Sequence, residues 1–91
     1  MQNSGQSCIA AKRFIVVKTQ AREFTKRLWE RMADYRFGNP LEDSTVGYGP
    51  LARADLRDHL HRQVETARQL GAKILLGGGI PSQPGYYYPA T

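Results

Sequence analysis

Apolar and polar residues follow each other in two different rhythms along this chain, and the change of rhythm lays out its elements. Phe14-Ile15-Val16-Val17 is an unbroken apolar run with three β-branched residues. It predicts a buried strand over 14–18. From Thr19 the spacing changes to steps of three and four. Ala21, Phe24, Leu28, Met32 and Tyr35 fall on one stripe, opposite Arg22, Lys26 and Glu30. That is the period of an amphipathic helix. Thr19 is placed to cap it, with Glu23 in its first turn. Gly38-Asn39-Pro40 should end it near Arg36. Trp29 flanks the stripe, in a packing position.

Leu41 to Leu51 is rich in Asp, Ser, Gly and Pro and reads as a connector running over the surface. A second amphipathic helix follows from about Ala54 to Leu70, its apolar edge formed by Leu56, Leu60, Val64, Ala67 and Leu70. Gly71 is a natural stop. Ala72 to Leu76 reads as a short strand ended by three glycines, and Tyr86 to Tyr88 as the start of another, with its tyrosines alternately buried and exposed. The order strand–helix–helix–strand predicts an α/β layered arrangement, two main amphipathic helices packed on short strands in a single segment, residues 1–91. Those strands would present open edges and bare apolar faces. Self-association or a partly molten state is therefore expected.

Composition narrows the picture little. The formal net charge is +5 over 91 residues. Most of the positive charge lies on the two helical stretches, interleaved with acids. Glu23 precedes Arg27 by four residues, and Asp58 precedes Arg62 by four, the spacing of surface ion pairs. The basic excess reads as solvated helix faces, so no nucleic acid is expected as partner. No apolar run reaches the roughly 20 residues that cross a bilayer, and no signal pattern opens the chain, so no membrane partner and a cytoplasmic location are expected. The lone cysteine excludes an internal disulfide and suits a reducing compartment.

That cysteine is the candidate chemistry. Cys8 ends the polar turn Asn3-Ser4-Gly5-Gln6-Ser7 and precedes an alanine-rich stretch able to start a short helix. A helix mouth would favour the thiolate, and the Cys8 N–H could steady an oxyanion formed on attack at a carbonyl. The other reading is a small buried apolar residue, as free cysteines often are. His59 and His61 are two apart, so on a helix they cannot share one ion, and no metal is expected. Nothing local pairs either with Cys8 as a hydrolase dyad. Gly47-Tyr48-Gly49-Pro50-Leu51-Ala52 matches a dinucleotide pattern in form only. No strand precedes it, and Pro50 lacks an N–H. Gly77-Gly78-Gly79 likewise does not open a helix.

Asn3-Ser4-Gly5-Gln6-Ser7-Cys8 followed by Ala10-Ala11-Lys12-Arg13-Phe14-Ile15-Val16 resembles the active-site cysteine segment of the NAD(P)-dependent aldehyde dehydrogenases. The resemblance continues in order through Gly38-Asn39-Pro40-Leu41, Gly49-Pro50-Leu51, Gly71-Ala72-Lys73, Gly77-Gly78-Gly79 and Tyr88-Pro89-Ala90-Thr91, and so spans essentially the whole chain. The stretch from Ala52 to Asp58 looks most like the succinate-semialdehyde branch. The resemblance implies a partial catalytic domain of the aldehyde dehydrogenase fold. Its chemistry oxidises an aldehyde to a carboxylate through a cysteine thiohemiacetal and thioester. Cys8 would be the nucleophile, with Ser7 and Ile9 bordering the aldehyde pocket.

By the same resemblance, the oxyanion asparagine, the general-base glutamate and the dinucleotide-binding domain are expected outside these residues. NAD or NADP would thus serve a fuller enzyme. No cofactor residue is assigned, and no cofactor is expected to bind this chain alone. The chain is expected to be inactive by itself, as a homo-oligomer or in association with a fuller aldehyde dehydrogenase subunit. The alternative is a non-catalytic interaction fragment that pairs through its open strand edges.

Overall fold

Two 16-residue helices, α1 (Lys18–Ala33) and α2 (Ala54–Gln69), carry nearly all the regular structure. The structure, a computed structural model, describes residues 2–91. The helices form where the three-and-four spacing placed them. α1 begins two residues earlier than expected, with Val17 rather than Thr19 at the N-cap and no side-chain cap. It also stops three residues early, Asp34 occupying the C-cap. Glu23 and Arg27 form the expected pair at 2.6 Å. Asp58 does not reach for Arg62 but is held by its neighbour Arg57 at 2.8 Å.

α2 ends as its glycine dictates. The Ala72 N–H donates to the Ala67 carbonyl at 2.9 Å, and the Gly71 N–H donates to that of Arg68 at 3.0 Å. This is the Schellman pairing, and it needs a left-handed residue at Gly71, whose φ is +95°. The chain turns back there.

None of the three expected strands is present among the described residues. Residues 14–17, 72–76 and 86–88 run outside any ladder, and the one bridge joins Phe37 to Tyr48 in parallel sense. A strand exists through a neighbour's row of N–H and C=O groups, and among the described residues no such row runs beside these segments. Ile15 is accordingly 97 % exposed. The two helices of the α/β layered expectation are present, but its short strands are not found among the described residues, where irregular extended segments stand in their place. The short helix expected after Cys8 is also absent. Cys8 to Ala10 is a turn closed by Ala10 N–H on the Ser7 carbonyl at 3.1 Å, and no further helical turn follows. A one-turn helix with no packed face does not repay its nucleation.

The core lies away from the helices, none of whose residues is buried. No Cα of one helix comes within 8 Å of the other. What is buried is Tyr48, Leu51, Tyr87, Tyr88 and Ala90. Phe37 stands between Tyr48 and Tyr87, with ring centroids at 6.2 and 5.8 Å. The Leu51 N–H donates to the Tyr86 carbonyl at 2.8 Å, joining the turn before α2 to the C-terminal segment. Two expectations change here. The 41–51 connector is not wholly superficial, because it delivers Tyr48 and Leu51 to the core. The tyrosines also do not alternate: Tyr87 and Tyr88 are both buried. Outside a ladder, successive side chains need not take opposite faces.

The accessible surface is 7289 Å². A folded monomer of this mass is expected to expose about 5,300 Å². The Cα radius of gyration, 14.0 Å, likewise exceeds the roughly 12 Å expected for this length. The excess area is larger than the ~800 Å² that one partner contributes to an ordinary protein interface.

Glycine substitutions separate backbone strain from steric crowding. At Gly71 an added Cβ meets nothing within 4 Å, so Gly71→Ala carries the left-handed penalty alone, about 1 kcal/mol. At Gly77, where φ is +65°, that Cβ would lie 2.4 Å from the Ala90 carbonyl oxygen. Gly77→Ala is expected to cost roughly 2 kcal/mol or more, and Gly79→Ala, which has open space and no positive φ, under about 0.5 kcal/mol. Urea unfolding midpoints test this order.

Candidate active site

The cysteine turn is built from three successive left-handed residues. Asn3, Ser4 and Gly5 have φ of 46°, 55° and 81° within the tight turn Gln2–Gly5. Glycine takes this conformation freely and asparagine often, but serine pays for it. A ring of hydrogen bonds holds it. The Gln6 N–H and its Nε2 both donate to the Asn3 carbonyl, at 2.9 and 3.2 Å. Asn3 Nδ2 returns the contact to the Gln6 carbonyl at 3.1 Å.

Cys8 follows this turn and is exposed, which excludes the buried apolar alternative. It does not sit at a helix mouth, because no helix begins behind it. Lys12 takes part of that place: its Nζ donates to the carbonyls of Ser7 and Cys8, both at 3.2 Å. A cation thus closes the turn from its C-terminal side. Beside the turn lies a groove of about 750 Å³ between residues 5–14 and α1. Ser7 and Ile9 line it, with Phe14, Leu28, Met32 and Tyr35, whereas Cys8 is not part of the lining. The sequence-assigned pocket neighbours therefore reach the groove while the sulfur between them lies outside it. Sequence reasoning missed Gln6 and Lys12, although both were visible as polar residues two before and four after the cysteine.

The two histidines go separate ways. His59 faces Gln63, with Nε2 groups 2.9 Å apart, while His61 Nδ1 lies 3.0 Å from the Tyr88 hydroxyl. Among the described residues no group of three His, Cys, Asp or Glu could hold a metal. Burial pushes the phenols of Tyr48 and Tyr88 above their usual range. No phosphate cradle is offered by the glycines. The space before Gly77 is filled by the Ala90 carbonyl, and the Gly78 N–H is taken by Thr91 Oγ1 at 3.0 Å. Gly77 and Gly78 are therefore closed to a phosphate group.

The aldehyde dehydrogenase family model matches residues 1–91. The chain belongs to the aldehyde dehydrogenase family. It is 47% identical, over 90 residues, to the NAD(P)+ succinate semialdehyde dehydrogenase Sad of Escherichia coli K12, covering 99% of this chain and 19% of that protein. An aldehyde dehydrogenase of Paenarthrobacter nicotinovorans is 47% identical over 91 residues, all of this chain and 20% of its own length. Among solved structures, lactaldehyde dehydrogenase from Escherichia coli superposes with a TM-score of 0.92 at 40% identity, over 96% of this chain and 18% of that one. The chain spans about a fifth of the length of the curated relatives it matches.

At the N-cap of α2, Arg53 forks onto Asp55 through two hydrogen bonds of 2.8 Å. The Arg53 hydrogen bond first, and its charge after, hold the Asp55 carboxyl down to about 2. A carboxylate depressed in the folded state adds stability above its unfolded pKa, near 4, and that contribution disappears as pH falls toward 2. Both side chains are exposed, so the effect on stability is small. A carbon-detected NMR titration should place the Asp55 midpoint near 2, and Arg53→Ala should return it to about 4.

Proposed function

We propose that residues 1–91 supply the nucleophile of an aldehyde-oxidising catalytic domain. Cys8 thiolate adds to the aldehyde carbon, a C–S bond forms, and the carbonyl electron pair moves to oxygen as the thiohemiacetal develops. The Cys8 N–H donates to that oxygen, and Ser7 and Ile9 border the aldehyde. The chain's own part in the chemistry ends there. The oxidation itself would be supplied by NAD or NADP, which residues other than these would hold, and a glutamate elsewhere in the enzyme would activate the water that frees the acid from the Cys8 sulfur. The observation that carries this reading is the family match over all 91 residues together with an exposed Cys8 turn beside a groove.

Succinate semialdehyde is the substrate we favour, because the Escherichia coli relative is named for it at 47% identity. A cytoplasmic setting suits the single unpaired thiol, and among the described residues no helix is long and apolar enough to cross a membrane.

A segment exchange tests the assignment. Residues 1–91 placed in the Escherichia coli relative, in exchange for its matching segment, should leave NAD(P)H formation from succinate semialdehyde measurable. Cys8→Ala in that chimera should lower it on the order of 10³-fold or more. The 91-residue chain alone should form no NAD(P)H. Cys8-dependent turnover by that chain would overturn the proposal that its activity needs the rest of an enzyme.

The excess surface supports an association expectation as well. Ile15 and Leu41 are 97 % and 93 % exposed, and Phe14, Leu70 and Leu75 are also open. Light scattering over a dilution series should reveal concentration-dependent oligomers of the isolated chain, strengthened by sulfate. A monomer at every concentration with a sharp thermal transition would contradict it.

A further inference from the structure

We propose that Gln6 and Ser4 are positioning residues for Cys8, clamping the cysteine turn onto the turn Gly49–Ala52; their catalytic importance rests on the dehydrogenase reading above. Two hydrogen bonds carry the inference. Ser4 Oγ donates to the Gly49 carbonyl at 2.8 Å, and the Ala52 N–H donates to Gln6 Oε1 at 3.1 Å. Among the described residues, these are the only hydrogen bonds joining residues 3–13 to the rest of the chain. They span 45 and 46 positions of sequence. Every other bond in the segment is local and shapes the turn without locating it.

The chemistry of Gln6 suits this task. Its amide is fixed in one orientation by two backbone groups, the oxygen toward the Ala52 N–H and the nitrogen toward the Asn3 carbonyl at 3.2 Å. Flipping the amide would set donor against donor and acceptor against acceptor. One side chain thus closes the left-handed turn and ties it outward. Ser4 repeats the arrangement from within the strained stretch. Its φ of 55° costs energy that the surroundings must offset, and its hydroxyl points the outward bond to Gly49.

The anchor is firm. Leu51, between the two contacted residues, is buried and donates to the Tyr86 carbonyl at 2.8 Å. Tyr48, just before them, is buried beside Phe37 and reaches the Tyr88 carbonyl through its hydroxyl at 3.3 Å. The cysteine segment, exposed through most of its length, is thereby located by the best-buried part of the molecule. Cys8 lies two residues beyond Gln6, so the direction of its N–H depends on where that clamp holds the backbone.

Amide NMR on the 15N-labelled 91-residue chain tests this without any aldehyde chemistry. Gln6→Leu should speed exchange of the Ala52 amide roughly three- to tenfold. It should also lower the Cys8 N–H order parameter from the rigid range, about 0.85, to below about 0.6, with the unfolding midpoint little changed. Gln6→Glu keeps the acceptor for the Ala52 N–H but sets an oxygen against the Asn3 carbonyl, so it should restore slow Ala52 exchange while the Cys8 order parameter recovers only in part. Should Gln6→Leu fail to fold, Ser4→Ala removes one bond at Gly49 and must still lower the Cys8 value.

Unchanged Ala52 exchange in Gln6→Leu would show that the clamp does not exist. Faster exchange with an unmoved Cys8 order parameter would reduce Gln6 to a structural residue. A Cys8 amide already mobile in the unsubstituted chain would equally overturn the proposal. An inactive chimera with an intact clamp would remove the dehydrogenase reading and leave the positioning role standing.

Discussion

The fold depends on a knot where three distant stretches meet. Leu51 donates its N–H to the Tyr86 carbonyl, Phe37 fills the space between Tyr48 and Tyr87, and the Tyr48 hydroxyl reaches the Tyr88 backbone. Residues 37, 48–51 and 86–90 are held together there by aromatic burial and backbone pairing, which act in concert because the rings exclude water from the bonds. Both helices are attached to this knot rather than to each other. α2 leaves it directly after Arg53 and returns through the contact between His61 and Tyr88. α1 hangs from it through the bridge at Phe37.

This arrangement explains why so little of the apolar surface is covered. The stripe of α1 faces a groove lined by Leu28, Trp29 and Met32 against residues 73–76, and the groove beside the cysteine turn continues along the same helix. Aromatic packing at the knot cannot reach across a molecule 43 Å long. An area near 7,300 Å² is what two amphipathic helices leave open when neither packs on the other and none of their residues is buried. The relatives named above match this chain over only about a fifth of their own length.

Helices were legible in the sequence because their signal is internal. The step from Ala21 through Phe24 and Leu28 to Met32, and the stop at Gly71, concern atoms a few residues apart, and the structure keeps both. Strands were not legible in the same way. Phe14-Ile15-Val16-Val17 has the composition of a buried strand, but pairing is supplied by another segment, and no such segment lies beside it. The site divides likewise. Cys8 stood out by chemistry and the turn by its small polar residues. The helix expected behind the cysteine did not form, and the cross-chain reach of Ser4 and Gln6 had no local signature at all. The buried pair Tyr87 and Tyr88 was misread for the same reason, since alternation presupposes a ladder.

The contact at Trp29 has a practical consequence. It is the only tryptophan in the sequence, it is 45 % exposed, and its indole N–H donates to the Leu75 carbonyl at 3.0 Å. Tryptophan fluorescence therefore comes from one spot, where α1 meets the stretch that follows Gly71. The emission maximum is a built-in gauge of whether that stretch is docked or has peeled away.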